Sequence, residues 1–160
     1  GLMIKSKHIF DSNICLTQEL INSSIQQFCK PELHPKFLEK IINTRPNNGL
    51  KTIGCTDSSD GLYQALLDLS IESNCKAIID YKKIPKHKNW PQGNEWDKYY
   101  FFGGEDYELI FSLPRKWANK LLKEDKTVTE IGYFLKGDAS VVFENCSNKN
   151  LLKNKPFSHF

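Results

Sequence analysis

A chain of 160 residues, 39% hydrophobic and 26% charged, has the length and composition of one globular domain with a core of its own. Its net charge of +3 is too small to argue for nucleic acid, and Arg45 and Arg115 are the only arginines, which argues against phosphate or base recognition by an arginine cluster. No apolar run reaches the roughly 20 residues of a membrane span, and the five cysteines include no C-x-x-C pair, a pattern that fits reduced thiols in a cytoplasmic protein rather than a zinc ribbon or a disulfide framework.

The start, Gly1-Leu2-Met3, lacks an apolar signal core, and a glycine ahead of an internal methionine suggests a piece of a longer protein with residues 1–15 as lead-in. Leu16, Leu20, Ile21, Ile25 and Phe28 recur at helical spacing, with Thr17 placed to start the helix and Pro31 to end it. A second helix is expected from Pro35 to Ile42, closed by the turn-rich Thr44 to Gly49, and Leu50 to Thr56 reads as a short strand. Leu62, Ala65, Leu66, Leu69 and Ser73 form the next helical stripe, with Ser59 or Asp60 as its N-cap. Cys75 to Tyr81 is β-like, and residues 84 to 98, with Pro85, Pro91 and Gly93, read as a surface loop. Glu105 to Leu113 alternates as a strand that Pro114 stops, and Arg115 to Glu124 is a helix carrying Trp117, Leu121 and Leu122. Thr127 to Leu135 and Ala139 to Glu144 are expected to pair as strands joined at Lys136-Gly137-Asp138. Interleaved helices and strands predict a layered α/β or α+β domain over residues 16–160.

Two acidic loops carry the chemistry. Asp57-Ser58-Ser59-Asp60-Gly61 lies between a predicted strand and a helix N-terminus, where free N–H groups favour a phosphate. Asp57 and Asp60 can share a cation with that phosphate, and Ser59 can donate a hydrogen bond. The same residues also suit a plain helix cap, and on the local pattern alone the cap is the favoured reading. Gly103-Gly104-Glu105-Asp106 permits close approach of backbone to a ligand, or is a turn before an edge strand. Strand alternation would point Glu105 and Asp106 to opposite faces, leaving one of them structural.

The remaining candidates read as structural. His8, His34, His87 and His159 have no metal-ligand spacing, and Cys55 reads as a small buried residue, not a nucleophile. Core packing is the favoured use of Trp90, Trp96 and the run from Tyr99 to Phe102, ahead of stacking on a planar ligand. Phe157 and Phe160, in a polar tail, either dock on the domain or cover a ring in a site.

In combination, D-S-S-D-G-L followed by G-G-E-D-Y-E-L resembles the C-terminal domain of the thiamine-monophosphate kinases. Ile78-Ile79-Asp80, Ile84-Pro85, Ile131-Gly132 with Lys136-Gly137, and Phe157-Ser158-His159-Phe160 are similar to the surroundings of those motifs, so that the resemblance spans about residues 16 to 160. The family belongs to the superfamily of aminoimidazole ribonucleotide synthetase, selenide water dikinase and a hydrogenase maturation factor. The resemblance implies an α+β fold, a layered mixed β-sheet packed with helices as in the C-terminal domain of aminoimidazole ribonucleotide synthetase, with ATP as co-substrate, Mg²⁺, and thiamine monophosphate phosphorylated to the diphosphate. Position by position it makes Asp57 and Asp60 Mg²⁺ ligands and Ser59 an ATP-phosphate contact. It places Glu105 and Asp106 at the thiamine end and Phe157 on the substrate's ring. Ser58 stands where the family usually has an apolar residue. The nucleotide-binding N-terminal domain of the family has no counterpart in this sequence, which implies a fragment inactive alone and a homodimeric parent. The alternatives are another ATP-dependent enzyme of the superfamily, of the selenide or aminoimidazole type, or a non-catalytic binding domain of the same fold.

Overall fold

The computed structural model describes residues 16–31 and 35–146. In chain order the elements are α1 (Gln18–Cys29), α2 (Pro35–Thr44), β1 (Gly54–Asp57), α3 (Leu62–Ser73), β2 (Cys75–Asp80), a 3₁₀ turn (Tyr81–Lys83), α4 (Asn94–Phe102), β3 (Leu109–Ser112), α5 (Arg115–Glu124), β4 (Gly132–Lys136) and β5 (Ser140–Glu144). Thr17 caps α1 as its sequence predicts, its hydroxyl accepting the Leu20 amide at 3.3 Å. α2 continues past Ile42 to Thr44, whose buried hydroxyl donates to the Ile41 carbonyl at 2.9 Å. Trp117 of α5 closes that helix end by donating Nε1–H to the Ile41 carbonyl at 3.0 Å and Thr44 Oγ1 at 3.1 Å. Ile41, Trp117 and Leu121 thus form a small core between α2 and α5, reached from the β1–β3 sheet by the Phe37–Phe111 ring contact at 5.4 Å.

The main core lies between α3, α4 and a three-stranded sheet of order β4-β2-β5, with Leu66, Ala77, Ile79, Phe101 and Val141 at its centre. β2 runs antiparallel to β4 and parallel to β5. β4 and β5 therefore do not pair with each other as expected. β2 presents Ala77, Ile78 and Ile79 buried in succession, and a strand apolar on both faces is most stable in the middle of a sheet. The link between β4 and β5 crosses the start of β2, where Lys136 stands opposite Cys75 and Ser140 opposite Lys76.

A second correction concerns residues 84 to 98, which are not all loop. α4 begins at Asn94, and its Trp96, Phe101 and Phe102 are buried in line with the core-packing reading of the aromatic stretch. Asp97 obscured the helical stripe, since it is a carboxylate 7% exposed in an apolar position. It is held by Tyr81 Oη at 2.7 Å and Lys86 Nζ at 2.9 Å, and the Lys86 ammonium also lies 4.3 Å from the centre of the Tyr81 ring. Burial pulls the Lys86 pKa down, but its bonds to Tyr81 and Asp97 outweigh this and leave it raised. The cluster fastens the 84–93 segment to α4, and Glu19 of α1 reaches the same segment through Lys88 at 2.9 Å and Asn89 at 3.0 Å.

β1 and β3 form a separate antiparallel pair with Asp57 opposite Leu109 and Gly54 opposite Ser112. Both strands are shorter than expected. Leu50 lies outside β1 and is 74% exposed, and residues 105–108 are loop rather than strand. The pairing places the end of β1 beside the start of β3, so the two acidic loops emerge together.

Candidate functional site

The two loops meet through their backbones. The Ser58 amide donates to the Glu108 carbonyl at 3.0 Å, and the Glu105 amide donates to the Ser59 carbonyl at 2.8 Å. Ser58, only 4% exposed, adds a third link: its Oγ accepts the Glu108 amide at 3.0 Å. The β1–β3 ladder is thus extended beyond its last strand pair by a side chain. Glycine makes the approach possible, because a β-carbon on Gly104 would lie 2.2 Å from the Ser59 carbonyl oxygen. On the other side Gly61, at φ +94°, packs against the carbonyls of Phe101 and Gly103.

Neither Ser59 nor Asp60 caps α3. Gly61 occupies the N-cap position without a side-chain hydrogen bond, so the first turn of the helix keeps amides that no cap side chain has taken. Asp57 bends back locally, its Oδ1 accepting the Ser59 amide at 3.0 Å. Hydrogen bonds from the Ser59 hydroxyl and amide hold the Asp57 carboxyl below the ordinary aspartate range, so it is ionised at neutral pH. Asp57 and Asp60 are both exposed. Two hard oxygen ligands of this kind suit Mg²⁺, which takes one or two carboxylates together with substrate phosphates. They do not make a protein cage: among the described residues no group of three or more His, Cys, Asp or Glu side chains could hold a metal ion.

Glu105 and Asp106 have different neighbours, for a reason other than strand alternation. Glu105 and Tyr107 both have positive φ, 71° and 55°, and this left-handed turn brings the Tyr107 hydroxyl to Glu105 Oε2 at 2.6 Å. That hydrogen bond and the Glu105 charge, with smaller contributions from burial and from Asp57 and Asp60, raise the Tyr107 phenol above its ordinary value. Asp106 lies towards α4 instead. Burial, then the charges of Asp106 and Glu108, raise the Tyr100 phenol, which donates to the Pro85 carbonyl. The Asp106 carbonyl accepts Gln27 Nε2 of α1 at 3.3 Å.

Ser58, Gly104, Glu105 and Asp106 line a broad groove of about 2410 Å³, whose apolar walls include Leu109 and Phe134. Pockets for a single small ligand run to roughly 300–1,000 Å³, so this groove is wider than one such site. Asp57, Ser59 and Asp60 are not in the lining but adjoin it through Ser58 and Gly104. Cys55 is exposed on β1, contrary to its expected burial, because its strand belongs to a two-stranded sheet. Partial desolvation of the thiol and the Asp57 charge raise its pKa, which keeps it protonated at neutral pH. Phe157, Phe160, His8, His34 and His159 lie outside the described residues. Ser58 and Gly61, which hold the two loops in place, and Tyr107, which bonds to Glu105, are not among the site residues expected from the sequence. Only Gly61 carried a local signal, a glycine at a strand-to-helix turn.

No protein-family model matches the chain. It is 32% identical over all 160 of its residues to a thiamine-monophosphate kinase of Prochlorococcus marinus, covering 48% of that protein. It is 32% identical over 142 residues, 82% of the chain, to a thiamine-monophosphate kinase of Nitrosopumilus maritimus, covering 45% of it. The crystal structure of thiamine-monophosphate kinase from Stenotrophomonas maltophilia superposes with a TM-score of 0.68 over 88% of this chain and 45% of that one, at 18% identity, a likeness of fold. The chain spans about half the length of the curated relatives it matches. With the same fold and a match running through both acidic loops, this chain is related along its length to the thiamine-monophosphate kinases.

Proposed function

We propose that this chain is the C-terminal half of a thiamine-monophosphate kinase, which transfers the γ-phosphoryl group of ATP to thiamine monophosphate and yields thiamine diphosphate. The observation that carries this is the joining of the two acidic loops at Ser58–Glu108 and Ser59–Glu105. It brings two exposed aspartates, of a type that suits a metal ion, beside a groove-lining glutamate. The acceptor is already a phosphate oxygen, so the reaction needs charge neutralisation and alignment more than a strong base. Mg²⁺, when bound, supplies that neutralisation across the phosphates.

In this reading Asp57 and Asp60 hold Mg²⁺. Ser59 and the uncapped first turn of α3 offer donors to an ATP phosphate. Glu105, with Asp106 further towards α4, lines the thiamine end, and Phe157 covers the ring. The nucleotide pocket and further acids belong to an N-terminal domain, the isolated 160-residue chain is inactive, and the full-length enzyme is a cytoplasmic homodimer. Among the described residues no helix is long and apolar enough to cross a membrane.

The test is the full-length protein assayed for ATP-dependent phosphorylation of thiamine monophosphate, alongside selenide and a formylglycinamidine ribonucleotide as rival acceptors. Asp57→Asn and Asp60→Asn are each expected to lower kcat by about a hundredfold or more, the scale of losing a charge-stabilising group. Full turnover in both variants would overturn the metal-ligand roles. Turnover by the isolated chain at the full-length rate would overturn the two-domain reading.

A further inference from the structure

We propose that Tyr107 is a positioning residue of this site, holding Oε2 of the groove-lining Glu105 so that the carboxylate offers its remaining acceptor capacity to the groove and selects a substrate that brings donors. The inference rests on the functional reading above and concerns a residue which that reading leaves without a role.

Tyr107 is exposed and contributes little to any core, yet its backbone adopts a conformation that a side chain disfavours. The same is true of Glu105. Two such residues in one short loop persist only where the surroundings over-determine them. Here the loop is fastened on both sides of Asp106 and Tyr107. Gly104 lies against the Ser59 carbonyl and Glu105 bonds to it, while Glu108 is held by Ser58 through both backbone and hydroxyl. What this constrained turn achieves is the 2.6 Å hydrogen bond from Tyr107 Oη to Glu105 Oε2. A loop in which Glu105 and Tyr107 had relaxed φ values would leave the glutamate free to swing.

The chemistry follows from the donor count. A phenol has one O–H, and here Glu105 takes it. An ionised carboxylate has no donor at all, so Oε1 of Glu105 and the lone pairs of Tyr107 Oη can only accept. A ligand that offers amino or N–H groups is therefore favoured over an isostere that offers carbonyl oxygens.

The experiment uses the full-length protein with Tyr107→Phe, Glu105→Gln and the double variant. It measures kcat, KM for thiamine monophosphate, KM for ATP and the thermal midpoint. Tyr107→Phe keeps the ring and removes only the hydroxyl. It is expected to raise KM for thiamine monophosphate about tenfold, the effect of one charge-assisted hydrogen bond. KM for ATP is expected to stay within about twofold, and the thermal midpoint within about 2 °C. In the Glu105→Gln background Tyr107→Phe should add little, because the two act as one unit. An unchanged KM, a full additive effect in the double variant, or a fall in thermal midpoint that accounts for the loss would overturn the proposal. A wild-type protein without activity on thiamine monophosphate removes the functional reading and this inference with it. An active wild type with an unaltered Tyr107→Phe variant removes the inference alone.

Discussion

Gly104 does more for this site than its size suggests. The obstacle to a side chain there is a carbonyl oxygen 2.2 Å from where the β-carbon would be, and backbone cannot rotate away as a flexible side chain can. Gly104→Ala is therefore expected to part the two acidic loops. It should destabilise the fold by about 1–3 kcal/mol in urea titration, and in the full-length protein lower kcat as far as Asp57→Asn does. Wild-type turnover would mean that the loops need not touch. At this scale the acids were legible in the sequence, because carboxylates beside glycine and serine stand out in a mildly basic chain. Ser58 was not. Its partner, the Glu108 amide, is 50 residues away, and no local pattern announces a hydroxyl that completes a distant ladder. Ser59 and Asp60 were legible only ambiguously, since on local grounds their type suits a helix cap first, and the cap position turned out to be glycine.

Helices and strands were readable where one face was uniformly apolar and misread where charge or length intervened. α1, α2, α3 and α5 followed their spacing, while α4 was hidden by Asp97, whose burial depends on Tyr81 and Lys86. That dependence can be measured. Lys86→Met removes a half-buried cation and leaves the Asp97 carboxylate with the Tyr81 hydroxyl alone, so a loss of about 3 kcal/mol is expected. Lys88→Met breaks only the exposed pair with Glu19 and should cost below about 1 kcal/mol. Equal losses in urea titration would mean that Asp97 gains nothing from Lys86.

The contact of α2 with the end of α5 has a pH signature. Lys40, then the hydroxyl and amide of Thr127, hold Asp125 well below the ordinary aspartate value of 3.8. A depressed folded-state pKa contributes stability that is fully present above 3.8 and is lost as pH falls towards the folded value. Asp125→Asn should therefore flatten the acid limb of the stability curve below about pH 4, while lowering stability at neutral pH. Urea midpoints measured between about pH 2 and 6 test this, and a variant with the wild-type acid slope would contradict it.

At the scale of the molecule, the two sheets differ in how well they are protected. β2 has a partner on each edge and core residues along its length, whereas among the described residues β1 and β3 have only each other. Native-state hydrogen exchange should find the amides of Ala77 to Ile79 slowest and those of β1 and β3 faster by about tenfold or more. Uniform exchange across both sheets would mean that they open as one unit. The site stands on the less protected sheet and is steadied by Ser58, Gly61 and Gly104, a division that agrees with a ligand-facing surface carried by a more rigid neighbour.

Residue pattern alone is enough for a layered domain of interleaved helices and strands, for the helices with uniform apolar faces, and for the two loops where acids and small residues are concentrated. It is enough because periodicity and residue type are local properties. Only the tertiary structure decided that β2 lies between β4 and β5, that Asp97 is buried, that Ser58 and Gly104 join the loops, and that Glu105 belongs with Tyr107 while Asp106 lies towards Tyr100. Each of these depends on a partner distant in the chain or on a backbone angle that the chain adopts only once its neighbours hold it.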